Sequence, residues 1–472
     1  MKLFFSSITL FFIGFSTINN ASAQTSLKGS KMIRPSSYLN ESKVVLTLSE
    51  NRTVHDNRVD LDFDVYENPV IIYGIENAGS YIQALNKNWE PISKAIELNG
   101  IYFMDFLVIN GAYYVLGKES AGYSGTGTLD YEEEGNILVF LKIDASGRIL
   151  YKRQLFGNEG TNGGQFFLCT YSSLGELAFD GKYFHTMVET CGNFSPQGSR
   201  EFDIHETDYY LTFDTDGIVR ENGRSSWNHS HSSSPHTVSD GIGEGVTITV
   251  GDGSPFGICF TRFTDGRKVS DRVLHPDQNN LPYGDMYGVS KSSTDAGEIG
   301  GIVRIGNYFY TVIATVPEQN LPILKQKKDF LFIKMDLNGN EVMRRWIKTP
   351  YQDESIPYII EFHGNIFMAF MYKIGEYDYD YTATVAVLNT NGEYLISPRT
   401  TDHILNYQSR LTKFPDGDIA LISAEPYSSE AEFVRFESSN PTSTIDTRPK
   451  TPVKQVQPRK SVLKGYRGMN KN

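Results

Sequence analysis

The chain has 472 residues, of which 13% are aromatic, with 28 Tyr and 29 Phe against 3 Trp, alongside 42 Gly. Many β-formers and turn residues with little tryptophan describe short strands joined by tight turns, and argue against a propeller whose blades dock on repeated tryptophans. A net charge of −12 argues against nucleic acid or an anionic membrane as partner of the protein body, and 3 cysteines are too few for a disulfide scaffold or a zinc cluster.

Residues 1–23 read as a cleavable signal peptide. Lys2 supplies the positive start, Leu3 to Phe15 an apolar run, and Ala21-Ser22-Ala23 a small-residue cleavage site, so maturation is expected at Gln24. The run falls short of the about 20 apolar residues that span a bilayer, and no later stretch is apolar enough to do so. A secreted or extracellular location follows, periplasmic or cell-surface in a Gram-negative host. Residues 24–42 read as a linker to a domain spanning 43–437.

That domain repeats. Third-to-fourth strand hairpins recur as VFLKIDASGRILYKRQL, YLTFDTDGIVRENGR, ICFTRFTDGRKVSDRVL, LFIKMDLNGNEVMRRWI and VAVLNTNGEYLIS, with a weaker copy in YIQALNKNWEPISKAI. Gly147, Gly217, Gly266, Gly339 and Gly392 supply the positive-φ residue of each turn, and the preceding Asp or Asn can cap it. First-to-second hairpins recur as FLVINGAYYVLG, ELAFDGKYFHTMV, GIVRIGNYFYTVI, IIEFHGNIFMAFM and LTKFPDGDIALIS. The units begin near Ile71, Phe103, Glu176, Pro235, Gly300, Tyr358 and Arg410, at a mean spacing of about 52 residues, which suits four-stranded blades with long loops. The expected fold is all-β, a single propeller of seven four-stranded blades. The strand from Lys43 to Leu48 and the alternating run Val59 to Val65 are expected to complete the last blade and close the ring. A β-sandwich or β-helix is the alternative.

KIDASGRILYKRQLFGNEG and FIKMDLNGNEVMRRWIKTPYQDE resemble the repeats of secreted bacterial seven-bladed β-propeller proteins of the SBBP type, in which a strand ending K-x-D-x-x-G leads to an outer strand and a Gly- or acid-rich loop. The resemblance implies a propeller outside the cytoplasm and a binding role, and names no activity.

From residue 438 onward the pattern dissolves. Residues 438–472 read as a disordered tail in which Arg448, Lys450, Lys454, Arg459, Lys460, Lys464, Arg467 and Lys471 carry +8 with no acidic residue after Arg448; removing that from −12 leaves −20 on everything before it. The tail is either a solvated terminus or a polybasic arm for anionic surfaces.

The densest site candidate is Trp227-Asn228-His229-Ser230-His231, continuing through Ser232-Ser233-Ser234-Pro235 to His236. Clustered imidazoles can act as acid and base near neutral pH or ligate a metal, with Asp203 or His205 as further ligands, and Trp227 can stack on a sugar. A plain surface loop is the other reading. Tyr377, Tyr379 and Tyr381 alternate with Glu376, Asp378 and Asp380, placing rings on one face of a strand for sugar stacking and carboxylates on the other for hydroxyls or Ca²⁺; otherwise this is a structural hairpin. Beyond that possible Ca²⁺, no cofactor is expected. Cys169 and Cys191 are the pair that an oxidising compartment would close; three buried thiols are the alternative. No nucleophile elbow, zincin helix, P-loop or dinucleotide fingerprint occurs. The reading is therefore a secreted binding or adhesion propeller for an extracellular polysaccharide or a protein surface. A polysaccharide lyase or glycosidase on the same scaffold, or a structural component of an extracellular assembly, remains open, as does oligomeric state.

Overall fold

The computed structural model describes residues 10–12, 38–48, 54–75, 77–120, 136–156, 165–168, 175–194, 206–224, 233–239, 243–251, 257–274, 298–315, 328–349, 354–373, 381–403, 405–406, 408–424 and 428–439. These residues form seven four-stranded antiparallel blades around a common axis, with no helix among them.

Local chemistry explains the hairpins. Between the third and fourth strands of blade 2, Asp144 Oδ1 accepts the backbone N–H groups of Ser146 and Arg148, both at 3.0 Å. Asp214, Asp336 and Asn389 repeat the device in blades 3, 5 and 6. Blade 4 instead uses a two-residue turn, Asp265-Gly266, with φ of 50° and 74°, the left-handed pair that a tight hairpin demands.

Packing between blades explains the apolar runs. In the second strand of blade 1, Pro69–Ile75, successive side chains alternate between two seams: Ile71, Tyr73 and Ile75 face blade 7, while Val70 and Ile72 face blade 2. Both faces are buried, so the strand reads as continuously apolar. Apolar clusters of this kind fill six of the seven seams. The seam between blades 3 and 4 differs. Only Met187, Tyr210 and Phe263 form its apolar cluster, and beside them His185 Nε2 meets Asp180 Oδ2 at 2.7 Å with both side chains fully buried.

Six expected unit starts fall on innermost strands: Phe103 in Ile101–Ile109, Glu176 in Gly175–Phe179, Pro235 in Ser233–Ser239, Gly300 in Glu298–Ile305, Tyr358 in Glu354–Phe362 and Arg410 in Arg410–Lys413. The first is corrected. Ile71 lies on a second strand, and the innermost strand of blade 1 is Val54–Phe63, which takes in the Val59 end of the alternating run expected to close the ring. Asp64 decides this locally, since its Oδ1 accepts the N–H groups of Tyr66 and Asn68 at 2.8 Å and turns the strand directly onto Pro69–Ile75.

Closure falls to Tyr38–Thr47 alone. It pairs antiparallel with Glu430–Ser439 from Tyr38 opposite Ser439 to Thr47 opposite Glu430 without a slip, as the outer strand of blade 7. Lys43 Nζ meets Glu432 Oε1 at 2.7 Å, and Glu41 reaches back to blade 6 through Arg399 and through His403 Nε2 at 3.0 Å. Leu39 and Leu46 are buried. Deleting residues 38–47 would leave Phe433, Val434 and Phe436 on an open blade, and the expected outcome is aggregation. Leu46→Ala alone should cost about 3 kcal/mol in denaturant unfolding. A soluble deletion variant that melts cooperatively would show that the ring closes without this strand.

Candidate functional site

The innermost strands bring charged side chains from separate blades together at the axis. Five of these strands carry a register irregularity just before the charged layer: between Val54 and Val59, Phe103 and Asp105, Ser233 and His236, Ile299 and Ile302, and Ser355 and Tyr358. Pro235 and Pro357 sit in two of these irregularities, positions a regular ladder would refuse. A bulge re-aims the side chain after it. Here the residues after the bulges include Asp105, His236 and Tyr358.

Four polar residues of the layer reach the inner strand of the next blade. Asp62 Oδ2 accepts Val108 N–H at 2.6 Å, Asp105 Oδ2 accepts Leu177 N–H at 2.5 Å, and Glu176 Oε2 accepts Thr237 N–H at 2.8 Å. Glu176 Oε1 also meets His236 Nδ1 at 2.7 Å, and His236 Nε2 donates to Ile299 O at 2.9 Å. With Nε2 committed to a carbonyl, Nδ1 is free to carry a second proton toward the carboxylate. Arg410 enters from blade 7. Its Nη2 donates to Met104 O at 2.8 Å, and its Nη1 stands 3.8 Å from Glu176 Oε1, an ionic contact rather than a hydrogen bond. Tyr358 Oη donates to Asn406 O at 2.7 Å beside this group.

Exposure separates two layers. Side chains of Glu176, Arg410 and His236 retain 28%, 19% and 14% of their accessible surface, whereas Asp60 and Asp105 are buried at 6% and 8%. The first three side chains keep an access to solvent that the two aspartates largely lack.

The protonation states follow from this burial. Burial and the Asp105 carboxylate push Asp60 well above the usual range, against the pull of Arg410. Burial also raises Asp105, but Arg410 and a hydrogen bond from Asp60 oppose it. Burial and mutual repulsion thus favour one retained proton across the Asp60–Asp105 pair, with the stronger upward push on Asp60. Burial raises Asp62 to about 6 despite its bonds to the Val108 and Phe63 amides. Burial also works against charge on Glu176 and His236, yet their mutual attraction wins, lowering the carboxyl and raising the imidazole. These directions favour an ion pair of Glu176 with His236, beside the Arg410 guanidinium and a carboxyl pair that retains a proton, so that opposite charges largely offset.

Of the expected site residues, His236 is in this layer. Trp227, His229 and His231 lie outside the described residues, as do Asp203, His205, Tyr377 and Tyr379. Tyr381 opens the strand Tyr381–Leu388, opposite Lys373. Cys169 lies outside the described residues, and Cys191 is in the strand Tyr183–Phe194, opposite Phe167 and Glu206. Among the described residues, no group of three or more His, Cys, Asp or Glu is arranged to hold a metal. Asp60 with Asp62, Asp105, Glu176 and Arg410 escaped the motif search because they are spread over four different blades. The available signal was a charge inside an otherwise apolar inner-strand run, as in FMDFLVI and GELAF.

No family model matches the chain, and no curated protein matches it. Among solved structures it is similar to the Dos1 propeller, with 9% identity over 78% of this chain and 75% of that one and a TM-score of 0.40. It is also similar to a Mycobacterium tuberculosis puromycin-hydrolyzing peptidase, at 9% identity, 84% of this chain, 58% of that one and 0.42. A thermostable family-43 glycoside hydrolase follows at 13%, 76%, 96% and 0.33. None of these likenesses bears on ligand or activity.

The two aspartates should respond differently to amide substitution. Asn at position 60 mimics the protonated acid, since its Nδ2 can donate to Asp105 and its Oδ1 can accept Leu61 N–H, as Asp60 Oδ1 does at 2.8 Å. Asp105 uses both oxygens as acceptors, for Phe106 and Leu177 N–H, so Asp105→Asn orphans one buried donor. Expected losses are below about 0.5 kcal/mol for Asp60→Asn and about 1–3 kcal/mol for Asp105→Asn at pH 7. A carboxyl with a raised folded pKa weakens the fold as pH climbs past its unfolded value, so the gain of Asp60→Asn relative to wild type should grow with pH. Equal losses in urea melts at pH 5 and pH 8 would place the proton elsewhere.

Proposed function

We propose that this is a secreted β-propeller binding protein of the SBBP-like kind, which recognises an extracellular glycan at the axial face of Glu176, His236 and Arg410. The observation that carries the reading is the convergence of these three side chains from blades 3, 4 and 7 onto one partly solvent-exposed face. A carboxylate offers fixed acceptors, and a guanidinium and imidazolium offer fixed donors. Adjacent hydroxyls on a sugar ring, each both donor and acceptor, match such a set. The layer's near-neutral balance favours a neutral sugar over a polyanion. Recognition on this reading uses rigid inner strands, where the charges of Asp105 and Asp60 favour the Arg410 guanidinium. The signal-like residues 1–23 support export, with maturation at Gln24, and the basic tail after Arg448 supports retention at an anionic surface.

A second reading is favoured by the buried Asp60–Asp105 carboxyl pair, pushed toward retaining a proton close to Arg410 and to the lowered carboxyl of Glu176. A carboxylic acid and a carboxylate on one site are the requirements of acid–base cleavage of a glycosidic bond. Assaying each bound glycan for new reducing ends or unsaturated uronates separates the two readings.

The test is a glycan array followed by calorimetry with the wild type and Arg410→Lys. Lysine keeps the buried positive charge among the carboxylates but lacks the planar fork. Affinity should fall at least about tenfold while Tm shifts by only a few degrees. Failure of every glycan to bind the wild type, or undiminished binding by Arg410→Lys, would refute the axial site.

A further inference from the structure

An outer strand with an unpaired edge is a template for another strand, and seven outer strands surround the ring. Six are guarded. The outer strand of blade 1, Ile96–Asn99, has only 4 residues. Those of blades 2 to 5 carry charges mid-strand: Lys152-Arg153, Arg220-Glu221, Asp271-Arg272 and Arg344-Arg345. Tyr394–Thr401 of blade 6 contains Pro398. The outer strands of blades 2 to 6 also meet their neighbours through a register shift, which twists an edge away from partners.

Tyr38–Thr47 of blade 7 has none of these devices in its second half. It pairs over 10 residues with no slip, and Val44-Val45-Leu46-Thr47 is an uncharged run. Lys43, the nearest cation, is drawn aside by Glu432 at 2.7 Å. Val44 is half-buried against the cluster between blades 7 and 1, and Leu46 is buried within it, so a strand laid alongside would extend an existing apolar seam. One strand already lies there. Leu10–Phe12 runs antiparallel along this edge, with Leu10 opposite Leu46, Phe11 opposite Val45 and Phe12 opposite Val44.

We propose that the outer edge of Tyr38–Thr47 is a strand-addition site for a short, apolar, extended peptide. Leu10–Phe12 fills it in the full-length chain, and a partner's apolar strand fills it once that segment is gone. Main-chain hydrogen bonds would supply the affinity, and the Val44–Leu46 face the selectivity. The partner is recognised by a bare apolar triplet in extended form, which no charged outer strand of this ring offers.

The test uses a chain beginning at Gln24, which keeps every blade strand because these all lie between Tyr38 and Ser439. Making that chain directly separates this proposal from whether cleavage occurs at Ala23. The probe is a labelled synthetic peptide of residues 8–14 with two lysines added at each end for solubility. Binding should raise its fluorescence anisotropy and slow hydrogen exchange about tenfold at alternate amides between 42 and 47, with no change on the other outer strands. The full-length chain should show that slow exchange without peptide. Val45→Lys should weaken peptide binding at least about tenfold with Tm nearly unchanged, and a peptide N-methylated at the residue corresponding to Phe11 should not bind to any chain. Binding without protection of 42–47, equal binding by Val45→Lys or by the N-methylated peptide, or the same protection from self-association without peptide, would each overturn the proposal.

Discussion

Adjacent inner strands of a propeller do not complete one another's backbone ladder, although here Gln165–Leu168 pairs with strands of both blade 2 and blade 3 and joins them in one sheet. Between the inner strands the link is made by side chains. Asp62 takes the amide of Val108, Asp105 that of Leu177 and Glu176 that of Thr237, while His236 gives a proton to the carbonyl of Ile299. Four successive joints, from blade 1 to blade 5, thus rest on a polar side chain of one blade satisfying a backbone group of the next. Arg58 Nη1 and Arg410 Nη2 add bonds to the carbonyls of Phe103 and Met104 on blade 2. A buried amide left without an acceptor is expensive, so each such residue is held to its type by the fold as well as by any ligand. Structure and site share the same atoms.

That sharing sets how the layer manages charge. Several carboxylates so close to an axis would repel one another if all were ionised. The arrangement avoids this in two ways. Glu176 faces His236, whose second nitrogen is pinned to a carbonyl and cannot turn away. Asp60 and Asp105, both buried, are pushed toward sharing one retained proton, the stronger push falling on Asp60. Arg410 stands between the two pairs without a bidentate partner, within salt-bridge range of Glu176 but beyond hydrogen-bond range of it. A guanidinium placed in this way is oriented by its Met104 bond, and its remaining donors are not consumed by a carboxylate.

Much of the ring was legible in the sequence because its determinants are local. An Asp capping its own turn at Asp144, or an Asp-Gly pair at 265 and 266, specifies a hairpin within a few residues. The alternation of Ile71 and Ile72 between two seams shows as a continuous apolar run for the same reason. The run from Val59 to Val65, expected in blade 7 but found in the Val54–Phe63 strand of blade 1 and the turn after it, shows where that legibility stops. Its Val-Asp-Leu-Asp alternation suits any strand with one apolar face, and only the Asp64 turn reveals which neighbour it pairs with. Alternation alone cannot tell aspartates that face water from aspartates that face a polar axis.

The axial site was hidden for a stronger reason. Asp60 and Arg410 stand 350 positions apart in the sequence, and closure by a strand from the N-terminal region is what makes blade 7 a neighbour of blade 1. No spacing rule spans that distance, so motif searching finds clusters such as His229 to His236 and passes over single charges that the ring assembles. His236 belongs to both descriptions, as part of a sequence cluster and as the residue following a bulge at Pro235. The bulge is the more informative feature. Proline within a strand must sit where the ladder is already broken, and on an inner strand a break re-aims the next side chain. Pro235-His236 and Pro357-Tyr358 are two copies of that signal. In a chain already read as a propeller, a proline followed by a polar residue near the start of a unit therefore marks the axis more specifically than any local cluster of histidines.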